Sequence, residues 1–202
     1  MKIAILGAGN IGRTLAQKWV AAGHAVTFGV RDAQSDKVQA AVAATGGQAP
    51  AGTVAEAAAF GEVVLLSVPY AAVAPLVAEH GAALAGKLIV DATNNFAGPV
   101  LNNLAAIREY VPGARVYRAF NALGWEVFAQ PAFGDTVADL FYCGPAGADG
   151  VLLETLIREV GTRPVRVGDL DQIHLVDNLG ALWVNLVFRQ GMGRRLAFKA
   201  LS

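Results

Sequence analysis

Along the chain, short apolar runs alternate with longer segments of helical period, the pattern of βα units wound around a parallel sheet. Lys2–Leu6 reads as a first strand. Ile11, Leu15, Trp19 and Ala22 recur at helical spacing until Gly23 stops the helix, and Ala25–Phe28 reads as a second strand. A helix is predicted over Asp36–Thr45. Thr53-Val54-Ala55-Glu56 fits a capping box ahead of a strand at Glu62–Ser67, with further strands at Leu88–Asp91 and Arg115–Phe120. Beyond Gly124 the pattern continues with a strand at Leu140–Cys143, a helix at Ala148–Val160 and a strand at Pro164–Val167. A long helix then starts near Asp171. It is apolar almost all round through Leu179, Leu182, Trp183, Leu186, Val187 and Phe188, which predicts burial against the sheet or a second subunit. Gly191-Met192-Gly193 interrupts it ahead of a short terminal helix.

Directly after the first strand, Gly7-Ala8-Gly9-Asn10-Ile11-Gly12 matches the GxGxxG spacing and opens a helix. Gly7 permits the tight turn, Gly9 lets the backbone approach a pyrophosphate, and Gly12 lets helix and strand pack closely. The helix start offers free N–H groups and the positive end of its dipole to the phosphates. This context predicts a Rossmann-type, doubly wound parallel α/β sheet over residues 1–122 that binds a nicotinamide dinucleotide. Residues 123–202 form a small C-terminal α/β extension.

Where an Asp or Glu would receive the ribose hydroxyls of NAD, the second strand ends in Phe28-Gly29-Val30-Arg31-Asp32. The first charge met is Arg31, whose planar fork suits a 2′-phosphate, and Lys37 offers a second cation; both favour NADP(H).

Charge and composition narrow the partner. Sixteen basic and sixteen acidic residues cancel, which leaves no electrostatic footprint for nucleic acid or an anionic membrane. The most apolar stretch, Val63–Ala78, is broken by Pro69 and Pro75 and is too short for a membrane span, so a cytoplasmic protein with a small-molecule partner is expected. Cys143, the one cysteine, reads as core packing.

Acid–base candidates are few. None of Tyr70, Tyr110, Tyr117 and Tyr142 has a Lys four residues on; His24 follows the helix stop, His80 ends a helix, and His174 has no evident carboxylate partner in sequence. No metal-ligand spacing occurs. No catalytic side chain is assigned. Direct hydride transfer between stacked rings suits such a site, since positioning then does most of the work. The polar turns at the strand ends, Ser67-Val68-Pro69-Tyr70, Asp91-Ala92-Thr93-Asn94-Asn95 and Ala119-Phe120-Asn121, suit hydrogen bonds to the nicotinamide and its ribose, or equally caps of the next elements. A redox-sensing module that binds NADP(H) without turnover, and a dehydrogenase that uses His174, are the other readings.

Taken with Asp139–Gly144, Arg163–Gly168 and Gly193–Lys199, the phosphate loop, Phe28–Asp32 and Ala119–Gly124 make the chain similar to a known family. These motifs resemble the NADPH-dependent reductases of the 8-hydroxy-5-deazaflavin coenzyme (coenzyme F-420), and the N-terminal oxidoreductase domain of the six-transmembrane metalloreductases. The resemblance implies a homodimer that moves hydride between NADP(H) and a deazaflavin or flavin acceptor. Carried over by position, Ala8–Ile11 hold the pyrophosphate, Val30, Arg31 and Lys37 surround the 2′-phosphate, and Val68, Pro69 and Ala119–Asn121 line the nicotinamide. The C-terminal part would help to form the acceptor pocket.

Overall fold

Five parallel strands build the sheet of the N-terminal half: β1 (Lys2–Leu6), β2 (Ala25–Gly29), β3 (Ala51–Gly52), β4 (Val63–Leu66) and β5 (Leu88–Asp91). The helices between them are α1 (Asn10–Ala21), α2 (Asp36–Ala44), α3 (Val54–Phe60) and α4 (Tyr70–Leu84), and α5 (Leu104–Tyr110) follows β5. In space the strands run β5-β4-β1-β2-β3. The chain thus builds outward from β1 in one direction, returns, and builds the other way. With right-handed crossovers this reversal puts helices on both faces of the sheet. Accordingly α1 packs on α2, while α3, α4 and α5 pack in a row. Ile3–Leu6, Val63–Leu66 and Leu88–Val90 are all buried, as strands covered on both faces must be, which is why they read as unbroken apolar runs.

The computed structural model describes residues 1–201, and the chain divides into two units, Met1–Val116 and Tyr117–Ser202. The division falls inside β6 (Arg115–Arg118) rather than after Ala122. The second unit holds α6 (Trp125–Ala129), a hairpin of β7 (Ala132–Phe133) and β8 (Thr136–Val137), then β9 (Asp139–Cys143), α7 (Ala148–Val160), β10 (Arg163–Gly168) and α8 (Ile173–Val184). A short 3₁₀ turn, Leu170–Gln172, leads into α8, and one π turn, Asn185–Arg189, continues it. β9 pairs parallel with β10, and Arg118 meets Cys143 in an antiparallel bridge. Arg118, fully buried, donates from Nε to Asp177 Oδ1 at 2.8 Å and so ties β6 to α8.

Two expectations need correction. Pro75 lies inside α4 and does not break the apolar stretch. It removes one helical hydrogen bond, but Pro75 and Ala71 are both exposed, so water can reach the carbonyl it frees. Residues 193–201, expected as a short helix, contain none. Their backbone groups are taken by β9 and its neighbours: Asp139 N–H donates to Phe198 O at 3.0 Å, Ala200 N–H to Asp139 Oδ2 at 2.7 Å, and Trp183 Nε1 to Leu196 O at 2.8 Å. A helix would have to give up these partners.

Asp139 is the anchor of this tail. Its buried carboxylate takes two hydrogen bonds from Arg163, at 2.7 and 2.6 Å, and one from Lys199 Nζ at 3.0 Å. Burial pushes its pKa up, but Arg163, the Ala200 amide and Lys199 outweigh that and hold it at about 2. The folded carboxyl therefore binds its proton more weakly than the unfolded one. The stabilisation is complete above the ordinary value of 3.8 and disappears as pH falls toward 2. Thermal unfolding followed from pH 6 down to pH 2 should show Asp139→Asn less stable than the parent by roughly 2 kcal/mol at neutral pH. The gap should close in acid; a gap independent of pH would remove this carboxylate as the cause.

Candidate functional site

At the carboxyl edge of the first unit's sheet, backbone hydrogen bonds step from strand to strand at one level: Gly7 N–H to Gly29 O at 3.0 Å, Ser67 N–H to Leu6 O at 2.9 Å, Ala92 N–H to Leu66 O at 3.1 Å. The loops leaving β1, β4 and β5 thus start side by side. Each interstrand step is about 4.8 Å.

The glycines of the GxGxxG loop differ in what a side chain would meet. Gly7 sits at φ +108°, where a side chain is strained, and a Cβ there would lie 2.7 Å from Ser67 O. A Cβ on Gly12 would strike Gly7 O, so any larger residue pushes α1 off β1. Gly9 is different. A Cβ there would meet no atom within 4 Å, so its bare surface is not demanded by packing and leaves a cradle that a side chain would fill. Gly9 also caps α1 without a side-chain hydrogen bond, and Arg13 is the first residue whose N–H closes back, onto Gly9 O at 2.8 Å. The N–H groups of Asn10, Ile11 and Gly12, in the first turn of a twelve-residue helix, are therefore unused by it and suit a diphosphate. Ala8 is buried beneath the loop.

Past β2, Arg31 is exposed and makes no ion pair among the described residues. Asp32 does not take it. The Asp32 carboxylate instead accepts from Gln34 N–H at 2.9 Å, and Asp32 O accepts from Ser35 Oγ at 3.1 Å, closing the turn that starts α2. Val30 is half-buried beside Arg31, with its N–H on Gly52 O at 3.0 Å, and Lys37 is exposed in the first turn of α2.

Ser67 acts on the loop itself. Its Oγ donates toward Leu6 O at 3.2 Å and Gly7 O at 3.0 Å, so it positions the phosphate turn. Val68 is half-buried and Pro69 exposed at the start of α4.

After β5, Asp91 and Thr93 of the polar turn are joined by Asn103, which sequence reading did not single out, and together they hold the loop that carries Asn94. Asp91, 1% exposed, accepts from Thr93 N–H at 2.9 Å, Thr93 Oγ1 at 2.6 Å and Asn103 N–H at 2.9 Å. Asn103 Nδ2 donates to Thr93 Oγ1 at 2.9 Å. The Asp-x-Thr spacing was a readable turn signal, but Asn103 joins it from twelve residues away.

Ala119, Phe120 and Asn121 belong to the second unit. β6 ends at Arg118 and not at Phe120, because Phe120 adopts φ +60°, a left-handed conformation that ends a strand and costs a bulky residue free energy. Its ring is buried and meets Phe128 edge to face at 5.7 Å. Asn121 is 4% exposed.

Two of the histidines lie away from this edge within the first unit, and the third belongs to the second unit. His24 precedes β2 at the opposite end of the strand with Nδ1 3.2 Å from the N-terminal amine, His80 lies far along α4 beside Glu79, and His174 is exposed at the start of α8. Burial, reinforced by the Asp177 charge, pushes the Cys143 thiol up to about 12, which makes it an inert core residue. Among the described residues no His, Cys, Asp or Glu group could hold a metal, and no helix is long and apolar enough to cross a membrane.

Residues 2–95 match the family described as NADP oxidoreductase, coenzyme F420-dependent. Over the full length of both chains, the fold matches a candidate F420-dependent NADP reductase from Arthrobacter sp. FB24, with a TM-score of 0.83 and 26% identity. A hypothetical protein from Sinorhizobium meliloti, SMa0349, is 29% identical with a TM-score of 0.71, covering 85% of this chain and 86% of its own. An imine reductase from Streptomyces aurantiacus shares the fold at 21% identity and a TM-score of 0.69, over 95% of this chain and 63% of that one. This chain has a Rossmann-type fold, and by its first 95 residues and that fold it resembles the coenzyme F420-dependent NADP oxidoreductases, as its motifs imply.

Proposed function

We propose that the protein is a reductase that passes hydride between NADPH and a deazaflavin or flavin acceptor, directly and without an acid or base of its own. The observation that carries this reading is the cradle at Gly9 beneath unused helix N–H groups, with an uncommitted Arg31 two residues beyond β2. Gly9 to Gly12 would grip the diphosphate, Ser67 would hold that turn in shape, and Val30, Arg31 and Lys37 would receive the 2′-phosphate. Val68, Pro69 and Asn94 would face the nicotinamide side; Ala119, Phe120 and Asn121 are assigned there by resemblance. When bound, NADPH supplies two electrons and one hydrogen as hydride to the acceptor ring, and the acceptor's second hydrogen comes as a proton from water.

Leu175, Leu182, Phe188 and Met192, all large apolar residues more than two-fifths exposed, support a homodimer in which the C-terminal segment meets a second copy. Purified protein should sediment as a dimer and oxidise NADPH in the presence of a deazaflavin or FMN. The kinetics should show single displacement, since both ligands must be bound together. Absence of turnover with deazaflavins and free flavins alike, in protein that binds NADPH tightly, would favour the redox-sensing module instead.

A further inference from the structure

We propose that the loop between β5 and α5 is the acceptor wall of the site, with Phe96 the side chain against which a flat, conjugated hydride acceptor stacks. The inference rests on the function proposed above and narrows its substrate class.

Three observations carry it. The first is direction. With the 2′-phosphate at Arg31 beyond β2 and the diphosphate over the start of α1 beyond β1, the rest of the dinucleotide extends the opposite way along the edge order β5-β4-β1-β2. The nicotinamide half then lies on the β4–β5 side, and the acceptor must approach there. Ala92 N–H bonds to Leu66 O and Ser67 N–H to Leu6 O, so the β5 loop leaves the sheet within about two strand spacings, roughly 10 Å, of the phosphate turn.

The second is rigidity. Asp91, Thr93 and Asn103 clamp the base of the loop through the hydrogen bonds described, and Asn95 N–H to Leu101 O at 3.1 Å closes its neck. Gly98 turns back on Asn95, where a Cβ would lie 2.5 Å from Nδ2. A buried carboxylate with this many partners holds a fixed shape, which a merely connecting loop does not need.

The third is what the fixed shape presents. From Ala92 to Ile107 there is no charged residue, and the tip offers Phe96 at 46% and Val100 at 52% exposure, with Ala97 and Pro99 also exposed. Large apolar groups held rigidly toward solvent at the ligand edge of a parallel sheet fit a planar apolar face. An acceptor without an extended conjugated plane would gain little from an aromatic ring there.

The test measures acceptor binding apart from turnover. Deazaflavin coenzyme and FMN are titrated, by quenching of their own fluorescence, into the full chain saturated with NADP⁺. Phe96→Ala should weaken both roughly tenfold, and raise their KM in parallel where turnover occurs, while NADPH affinity stays within twofold. Phe96→Tyr should restore parental values. Planar-acceptor affinity unchanged in Phe96→Ala overturns the proposal, as does a variant whose only change is from dimer to monomer in sedimentation. If the parent binds NADPH and neither ring, the acceptor wall and the reductase reading fall together. Turnover indifferent to Phe96 removes the wall and leaves the reductase.

Discussion

Gly9→Val should bind NADPH and NADH at least a hundredfold more weakly than the parent while unfolding at nearly the same temperature. The structure separates these two effects. At Gly7 and Gly12 a side chain would strike Ser67 O or Gly7 O, so loss of binding there would be confounded with damage to the β1–α1 junction. At Gly9 a Cβ meets nothing within 4 Å, and the backbone, at φ −75° and ψ −176°, is extended and open to any L residue. The added isopropyl group occupies the space a diphosphate needs to reach the Asn10–Gly12 amides. Displacing charge-assisted hydrogen bonds worth about 1.5–3 kcal/mol each accounts for a loss of this size, since two of them exceed two factors of ten. Nicotinamide fluorescence on titration, with thermal unfolding of the same preparation, reads both quantities. Undiminished affinity for both nucleotides would mean that the diphosphate does not sit at this turn.

How much of this was legible before any coordinates follows from the range of the interactions. Strands β1, β2, β4 and β5 and helices α1 and α2 lie close to where the hydrophobic pattern puts them, since a strand buried on both faces leaves an unbroken apolar run and an amphipathic helix a 3.6-residue period. Thr53 and Glu56 form the capping box read from their spacing, a contact that spans three residues. The stop at Gly23 is confirmed by its φ of +87°. Elements whose stability comes from distant partners were not legible. The last nine described residues look helical in isolation, yet Asp139 and Trp183 hold them extended. β3, α5, α6 and the β7–β8 hairpin are too short for a period to show. The Ser67 contact was not legible either, because nothing in Leu66-Ser67-Val68 shows that its hydroxyl turns back to Gly7. The clamp of Asp91 by Asn103 was hidden for the same reason.

Arg31→Ala should weaken NADPH by roughly ten- to a hundredfold and leave NADH nearly unchanged, the second large effect. The alternative to a phosphate-binding role was that Arg31 pairs with its neighbour Asp32. That pairing would have consumed the charge. The structure instead commits the Asp32 carboxylate to Gln34 N–H, as part of the turn that starts α2, and leaves the Arg31 fork exposed beyond the β2 strand end. A guanidinium in that state can give a 2′-phosphate two charge-assisted hydrogen bonds at little cost in broken contacts, for about 1.5–3 kcal/mol in all. The ribose hydroxyl of NADH offers no charge to meet, so the same truncation costs it little. Because Arg31 is exposed, its contribution should shrink as salt is added, whereas backbone contacts at the phosphate turn should not depend on salt so steeply. Arg31→Lys should keep the charge but lose the fork, and fall between parent and alanine. Dissociation constants for both nucleotides, measured at low and high ionic strength, decide the matter: equal losses for NADPH and NADH would move the 2′-phosphate elsewhere and leave the preference for NADP(H) without its residue.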